Sequence, residues 1–311
     1  MPSRHRCLVL GGGGFIGANL VRELLRQGHF VRCFGRPHLV HLFDKTPTEQ
    51  FEYFAGDFLK GEDVSAALRE CDTCFHLIST TIPSSSNRHP IFDVESNIAG
   101  TVSLLDRLVD NGVKNVIFLS SGGTVYGVPR VTPIPESHPT DPICSYGITK
   151  LAIEKYLKLY HELYGIRFQI LRLSNPFGQG QRVESSQGAV AVFLGRAIRN
   201  EVIEIWGNGT VTRDFIYIGD VIAALLAALN SGTWNNILNI GSGCGRTLNT
   251  VISSIESLTR RKLMVKYLPG RGFDVPSNML DISLAKSVLG WEPKVNFDDG
   301  LKLFYEWMLS T

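Results

Sequence analysis

Residues 6–17 read RCLVLGGGGFIG and indicate the fold class more clearly than any other part of the chain. It joins a short apolar strand to a segment with the apolar spacing of a helix. Glycines let the backbone turn tightly and approach a pyrophosphate, which the free amides of the following helix can bind. This order predicts a dinucleotide-binding site rather than a structural turn alone. The residues expected to contact the cofactor here are Gly11, Gly14, Phe15, Ile16 and Gly17.

Strands and helices alternate along the chain as far as about residue 173. Several strands, such as 73–78 (TCFHLI), are continuous apolar runs, which are typical of parallel strands covered on both faces. The pattern predicts the α/β class: a doubly wound parallel sheet (Rossmann) with a smaller C-terminal α/β lobe. We place the sheet domain in 1–175, with 213–240 returning to it, and the smaller lobe in 176–212 and 241–311.

The composition excludes several classes of protein. The chain has 311 residues, a formal net charge of +2, 44% hydrophobic and 19% charged residues, which is ordinary for a globular domain. So small a charge indicates neither nucleic acid nor an anionic membrane as partner. No apolar run reaches the roughly 18–20 residues of a membrane helix, and the start is too short for a signal peptide. The scattered cysteines complete no metal site, so we expect a cytoplasmic protein without a bound metal.

Tyr146 and Lys150 form the pattern Y-x-x-x-K. Because they are four residues apart on a predicted helix, their side chains share a face. A cation beside a phenol favours the phenolate, so we expect Lys150 to lower the pKa of Tyr146. Tyr146 could then exchange a proton with a substrate hydroxyl or carbonyl. The alternative is a pair on a helix surface with no catalytic role.

The glycine spacing G-x-x-G-x-x-G resembles that of the extended short-chain dehydrogenase/reductases, the group of nucleotide-sugar epimerases and dehydratases. Further stretches resemble this family in the same order, namely YGITK at 146–150, RLSNPFG at 172–178, RDFIY at 213–217 and RGFD at 271–274. The resemblance covers nearly the whole chain. It implies a nicotinamide cofactor, a nucleotide-sugar substrate and a homodimer paired through the predicted helices 97–111 and 146–164.

The resemblance also implies which residues hold the cofactor. In dinucleotide-binding folds of this type the second strand ends in an acid that holds the adenosine ribose, and here that position is Gly35, followed by Arg36. The cofactor is NAD by family resemblance, whereas an Arg without the carboxylate indicates NADP; a solvated loop residue is the alternative for Arg36. The other implied cofactor contacts are Asp57, Phe58, Leu77, Ile78, Ser79, Thr81, Tyr146, Lys150 and Pro176.

The family carries a catalytic Ser or Thr at the end of the fifth strand, and in this chain that position is Gly122. Thr124 is our first candidate to replace the hydroxyl, and Ser121 is the second. Two further alternatives are the amides of Gly122 and Gly123, which could donate to a developing oxyanion, and a site without this group.

Six residues are expected to bind the substrate. Arginines suit the oxygens of a diphosphate and an aspartate suits a ribose diol, while Trp206 could stack on the base or pack in the core. The residues implied by the resemblance are Thr124, Asn175, Trp206, Arg213, Arg271 and Asp274.

These residues lead to three hypotheses for the function. The first is a nucleotide-sugar 4-epimerase, with a UDP-sugar as substrate, that acts by transient hydride transfer to a bound nicotinamide and a 4-keto intermediate. The second is an NADPH-dependent reductase of nucleotide-4-keto-sugars, which Gly35 and Arg36 favour. The third is a non-catalytic nucleotide sensor, for which the loss of the hydroxyl at Gly122 is the only support.

Overall fold

The computed structural model describes residues 4–43, 49–184, 188–270 and 275–310. The strands are β1 (Arg6–Leu10), β2 (Phe30–Gly35), β3 (Phe51–Ala55), β4 (Thr73–His76), β5 (Asn115–Ser121), β6 (Arg167–Leu173), β7 (Asn175–Phe177), β8 (Ile203–Trp206), β9 (Thr212–Tyr217), β10 (Asn236–Ile240), β11 (Gly245–Thr247), β12 (Val265–Leu268) and β13 (Ser277–Asn278). The helices are α1 (Phe15–Arg26), α2 (Gly61–Leu68), α3 (Pro83–Ser86), α4 (Pro90–Asp93), α5 (Gly100–Asp110), α6 (Ser145–Tyr164), α7 (Ala189–Arg199), α8 (Ile218–Leu229), α9 (Leu248–Thr259), α10 (Ser283–Leu289) and α11 (Phe297–Ser310), with a 3₁₀ helix at Pro37–Phe43 and a π-helical turn at Val94–Ala99.

The central sheet has seven strands in the order β10-β6-β5-β4-β1-β2-β3. β1 pairs in parallel with β2 and β4, β2 pairs in parallel with β3, and β4 with β5. The inner strands are apolar along their length because both faces are covered, and residues 7–10 are fully buried. The predicted doubly wound, mostly parallel α/β fold is therefore confirmed.

The first of two compact units contains the residues up to Ser121, together with Cys144–Arg172 and Leu225–Leu238. Its core packs side chains of the sheet against helices α2, α5 and α6 and includes Leu8, Phe34, Leu68, Leu104, Phe118, Leu157 and Ile170. Helix α1 buries Leu20, Val21 and Leu24 on one face, as its three- and four-residue spacing predicts. The chain then turns at Gly28, where φ is +81° and glycine is strongly favoured.

The second unit contains Gly122–Ile143, Leu173–Ala224 and the residues from Asn239 onward. Here β9 pairs with β7 and β13 in parallel and with β11 antiparallel, while β8 pairs with β12. Its own core includes Phe177, Leu194, Ile205, Val251, Phe297 and Phe304.

The boundaries of these units differ from the predicted domains at two places. Segment 122–143, predicted in the sheet domain, lies in the second unit, because Ile134 bonds to Met279 and the Tyr126 hydroxyl donates to Asn239 (2.7 Å). Residues 213–224 also lie in the second unit, so the return to the first begins at Leu225. Such pairings between distant residues leave no local pattern in a sequence.

Helix α7 is an element that we did not predict, because glycines and polar residues surround it. Its apolar residues recur at helical spacing, and Val190, Ala191, Phe193, Leu194 and Ala197 are buried. The signal was therefore present in the sequence. Over the described residues, no helix combines the length and the apolar character that crossing a bilayer would need.

Candidate active site

The glycine turn between β1 and α1 has the backbone geometry that a bound pyrophosphate needs. Gly11 has φ of +83°, and its carbonyl accepts a hydrogen bond from the Gly14 amide (3.0 Å). A Cβ at Gly17 would collide with the Gly11 carbonyl and lie 2.7 Å from the Gly12 Cα. Helix α1 begins at Phe15 with no side chain capping its first turn. The first amides of α1 thus have no capping side chain and can donate to a bound anion, so the turn fits a pyrophosphate.

The end of β2 lacks the carboxylate that would hold an adenosine ribose, and the space is filled from β3. A Cβ at Gly35 would lie 2.7 Å from the Tyr53 hydroxyl oxygen, and that hydroxyl donates to the Arg36 carbonyl (2.7 Å). The Arg36 side chain is exposed, as is His38. Sequence reasoning missed Tyr53, because it reaches Gly35 from the neighbouring strand.

Two predicted cofactor residues, Asp57 and Phe58, follow β3, and two others, Leu77 and Ile78, directly follow β4. Asp57 is exposed and its carboxylate accepts from the Leu59 amide (3.0 Å), whereas Phe58 is buried against His76, with ring centroids 5.5 Å apart. Asp57 thus shapes the turn after β3. Beside the glycine turn, a Cβ at Gly11 would lie 3.2 Å from the backbone nitrogen of Ile78 and 3.3 Å from the carbonyl carbon of Leu77.

Tyr146 and Lys150 lie together on α6, as their spacing predicts. The Lys150 ammonium donates to the Leu119 carbonyl (2.9 Å) and lies 5.6 Å from the centroid of the Tyr146 ring. Lys150 is only 5% exposed. A buried cation within about 6 Å of an aromatic ring is attracted to it. The two side chains therefore form a close pair in which Lys150 is buried and Tyr146 is half-buried, rather than a contact on an exposed helix surface.

Burial dominates the charge state of this pair. It raises the pKa of Tyr146 to about 12, although a hydrogen bond with Ser79 lowers the pKa and opposes this. It lowers the pKa of Lys150 to about 8, although Asp93 and Glu154 raise the pKa. The pKa of Tyr146 is thus raised where we expected it to be lowered, because burial is the largest effect on this group. The uncharged forms of both side chains are favoured, because the low dielectric of a buried site penalises ions.

The Lys150 shift gives an expected pH dependence of stability. Between about pH 8 and pH 10.5, unfolding adds a proton to Lys150, so its contribution to the free energy of unfolding rises with pH in this window. The slope is at most about 1.4 kcal/mol per pH unit. The Tyr146 shift acts in the opposite direction, but only above its ordinary pKa of 10.

The measurement is urea unfolding of the wild type and Lys150→Met at pH 7, 8, 9 and 10. The wild type is expected to gain stability relative to the variant as the pH rises from 8 to 10, because Met has no proton to release. A difference that stays constant would contradict the shift. A constant offset between the proteins does not matter, since Met also leaves the Leu119 carbonyl without its donor.

The candidates for the missing hydroxyl differ in their environment. Thr124 Oγ1 is buried and makes no hydrogen bond to any residue that the structure describes. Ser121 ends β5 and is half-buried. The Gly122 amide donates to the Leu173 carbonyl (2.8 Å) and the Gly122 carbonyl accepts from Asn278 (3.1 Å). The Gly122 amide is therefore already engaged, whereas the Thr124 hydroxyl has no hydrogen-bond partner among the described residues.

The second unit contains a cavity of about 550 Å³ that gathers four predicted residues. Its lining includes Asn175, Pro176, Trp206 and Arg213. Trp206 is 43% exposed, so its ring is open to a ligand rather than packed in the core. One Arg213 nitrogen donates to the Thr212 and Val275 carbonyls (2.9 and 2.7 Å). These bonds hold the guanidinium in one orientation beside the cavity.

Asp214, which sequence reasoning missed, supports this cavity from behind. Its side chain is fully buried and accepts from the Ser242 amide and hydroxyl (both 2.7 Å). Its carbonyl accepts from the Asn175 side chain (3.0 Å). The predicted substrate residues Arg271 and Asp274 lie outside the described residues.

Two predicted cofactor contacts, Ser79 and Thr81, belong to a hydrogen-bond network after β4 that also includes Tyr146. Ser79 donates to the Thr81 carbonyl (3.0 Å) and hydrogen-bonds Tyr146. Thr81 is 5% exposed and donates to the Asp93 carboxylate (2.5 Å). Sequence reasoning also missed Asp93, because no motif or periodicity marks it.

The chain is similar to proteins that act on nucleotide-sugars. It is 33% identical over 307 residues to a putative UDP-glucose 4-epimerase of Methanocaldococcus jannaschii, with 98% of each chain covered. It is 32% identical over 306 residues to a dTDP-4-dehydro-6-deoxyglucose reductase of Escherichia coli, with 96% of each covered. Its structure is similar to that of a UDP-glucose 4-epimerase from Thermotoga maritima, crystallised with UDP-glucose, with a TM-score of 0.91, 34% identity and 98% of each chain covered.

A family-level match agrees with these similarities. Residues 7–241 match the NAD dependent epimerase/dehydratase family, a region that includes both the glycine turn and the Tyr146–Lys150 pair. The resemblance to the extended short-chain dehydrogenase/reductases is confirmed. The chain belongs to the NAD dependent epimerase/dehydratase family.

Proposed function

We propose that this protein is a nucleotide-sugar 4-epimerase and that a UDP-sugar is its substrate. The observation that carries the proposal is the buried Lys150 ammonium 5.6 Å from the centroid of the half-buried Tyr146 ring, in the same unit as a glycine turn that fits a dinucleotide. The open cavity of the second unit, with Trp206 and Arg213, suits a nucleoside diphosphate, because arginine binds phosphate oxygens and an exposed indole can stack on a base.

The chain's own residues have distinct proposed tasks. When bound, the nicotinamide supplies a hydride acceptor and donor and a positive charge. Tyr146 exchanges a proton with the sugar O4, so that a transient 4-keto sugar forms and is reduced on either face. Lys150 binds ribose hydroxyls and keeps a positive charge near the phenol. Thr124, or else Ser121, donates a hydrogen bond to the reacting oxygen.

The proposed substrate contacts other than Thr124 follow from the cavity. Arg213 binds the diphosphate, Asn175 donates to it and Trp206 stacks on the base. Pro176 faces the nicotinamide. Arg271 and Asp274 remain proposed contacts by resemblance.

The test is turnover with purified protein and no added cofactor. We expect retained nicotinamide, visible in the absorbance of the purified protein, and interconversion of UDP-glucose and UDP-galactose without net reduction. Stoichiometric consumption of NADPH with a 4-keto sugar would overturn the epimerase and establish the reductase. Tight cofactor binding without turnover of any nucleotide-sugar would indicate the sensor.

A reductase is the second candidate, and one similarity favours it. The Escherichia coli relative, which carries that name, is nearly as similar to this chain as the archaeal epimerase. The two functions share their reacting residues and differ in whether the hydride returns to the same sugar.

The cofactor is NAD by family, and the end of β2 gives a specific prediction for it. Because no carboxylate contacts the ribose there, adding one should strengthen NAD binding and weaken NADP binding. Gly35→Asp alone would collide with the Tyr53 hydroxyl, so we combine it with Tyr53→Phe. A charged hydrogen bond contributes about 1.5–3 kcal/mol, which is about tenfold or more in the dissociation constant.

The measurement is the Kd of NAD and of NADP by calorimetry. Tyr53→Phe alone is the control, and Arg36→Ala shows whether the arginine favours NADP. An unchanged ratio of the two Kd values in the double variant would contradict this prediction. Equal affinity of the wild type for both cofactors would agree with the absence of a carboxylate.

We also propose a homodimer, as the resemblance implies. Helix α6 exposes Ile148, Leu159 and Leu163, although α5 buries or half-buries its apolar residues. Instead of α5, the segment just before it exposes apolar side chains, namely Ile91, Phe92 and Val94. Light scattering should show twice the chain mass, and Leu159→Glu with Leu163→Glu should give a monomer. A monomeric wild type would refute this, and Leu309→Glu on α11 is the control.

The cytosol is the compartment that we propose. All six cysteines are free thiols, as expected where thiols stay reduced. Because a nucleotide-sugar is an activated glycosyl donor, the proposed product supplies glycosyl transfer and thereby polysaccharide biosynthesis.

A further inference from the structure

Asp93 is a fully buried carboxylate at the end of α4, next to the π-helical turn Val94–Ala99. π-helical turns are rare and occur frequently at functional sites. Neither the glycine turn nor the Y-x-x-x-K pattern includes this residue. A buried carboxylate must nevertheless be stabilised by its neighbours.

Both oxygens of this carboxylate are engaged. Oδ1 accepts from the Thr81 hydroxyl (2.5 Å) and the Asn97 side chain (2.9 Å). Oδ2 accepts from the Ser145 hydroxyl (2.6 Å), and the Thr149 hydroxyl lies 3.5 Å away. Ser145 and Thr149 directly precede Tyr146 and Lys150. Asp93 thus binds the residue before Tyr146 and lies beside the residue before Lys150, whose hydroxyl makes a shorter hydrogen bond to the Tyr146 carbonyl (2.9 Å).

The first turn of α6 has two further supports from the same region. The Ser145 amide donates to the Asn87 side chain (2.8 Å) and the Tyr146 amide to the Ser86 hydroxyl (3.1 Å). Helix α6 has no side-chain cap of its own. Its first turn is therefore held by residues of α3 and α4 rather than by local capping.

Asp93 also differs from the other carboxylate that influences Lys150. Glu154 is paired with the Arg172 guanidinium by two hydrogen bonds (3.0 and 2.6 Å). Asp93 accepts only from neutral donors within the described residues. No ion pair among the described residues therefore compensates the negative charge of Asp93, and this charge can interact with Lys150. It raises the pKa of Lys150 against the effect of burial.

We propose that Asp93 is a positioning residue for the reacting pair: through its hydrogen bond with Ser145 it fixes the turn that carries Tyr146, and its carboxylate lies beside Thr149, the residue before Lys150. The other titratable groups that act on the pair are Glu154, Cys144 and His76. His76 is buried, which lowers its pKa to about 3, so it stays neutral. The proposal rests on the proposed function only in taking Tyr146 and Lys150 as the reacting pair.

The test compares Asp93→Asn, which removes the charge, with Ser145→Ala, which removes one hydrogen bond and leaves the charge. Asp93→Asn should lower kcat about 10- to 100-fold, as loss of a group that orients a functional side chain typically does. It should also move the alkaline limb of the kcat profile to lower pH by about one unit. Ser145→Ala should lower kcat without moving this limb.

Asp106→Asn is the matched control. Like Asp93, Asp106 has a carboxylate that accepts from a hydroxyl on α6, that of Tyr160 (2.5 Å). Asp106 is not among the causes of the pKa shift of Tyr146 or of Lys150. Its kcat and pH profile should be those of the wild type. If Asp93→Asn does not fold, Ser145→Ala alone tests the proposal. Wild-type kcat in Ser145→Ala would then overturn the proposal. So would a folded Asp93→Asn with wild-type kcat and pH profile.

A second measurement separates this proposal from the proposed function. The stabilities of Asp93→Asn, Lys150→Met and the double variant form a thermodynamic cycle at pH 7 that needs no turnover. We expect the two substitutions to be non-additive, because the charges interact. Additivity would overturn the proposal even in an active epimerase. Non-additivity in a protein without epimerase activity would refute the proposed function alone.

Discussion

Tyr146→Phe is expected to lower kcat by about 10²- to 10⁴-fold, the contribution of a positioned general acid–base group. The ring of Phe occupies the same half-buried place on α6, so only the hydroxyl is lost, the group that we propose exchanges the proton. Cofactor affinity should not change, because the glycine turn and Lys150 remain. The protein should therefore be purified with its nicotinamide and yet fail to interconvert C4 epimers.

The matched control for this variant is Tyr160→Phe. Tyr160 lies on the same helix, and its hydroxyl also makes a hydrogen bond, to Asp106 (2.5 Å). Its loss should cost about 1 kcal/mol of stability and leave kcat unchanged. Single-turnover measurements with bound cofactor would isolate the chemical step. Wild-type kcat in Tyr146→Phe would remove this residue from the reaction.

Thr124→Val is expected to lower kcat strongly without lowering the stability of the protein. Val has the shape of Thr without the hydroxyl. The Thr124 hydroxyl is buried with no hydrogen-bond partner among the described residues, which costs about 1–3 kcal/mol. The variant is therefore expected to be as stable as the wild type or more so. If Thr124 donates to the reacting oxygen, kcat should fall about a hundredfold.

Ser121→Ala distinguishes the two candidates for the position at Gly122. We expect a small effect on kcat in Ser121→Ala and a large one in Thr124→Val, measured under the same conditions with saturating substrate. The reverse order would transfer the hydroxyl role to Ser121. Wild-type activity in both variants would show that the reaction proceeds without this group.

Much of this molecule could be predicted from local patterns in the sequence. The glycine turn, the alternation of apolar strands with helices, and the four-residue spacing of Tyr146 and Lys150 each depend on residues close together in the chain. Backbone conformation and side-chain periodicity act at that range. The fold and the family followed from them, and so did the proposal that Tyr146 and Lys150 form the reacting pair.

The tertiary structure decided what depends on burial and on contacts between distant residues. The pKa of Tyr146 is raised where we predicted that it is lowered, because desolvation is the largest effect on both Tyr146 and Lys150. Tyr53 fills the place beside Gly35 from another strand, and Asp93 reaches Ser145 across 52 residues of sequence. Spacing along a chain determines which side chains share a face, but only packing determines how much water and charge surround them.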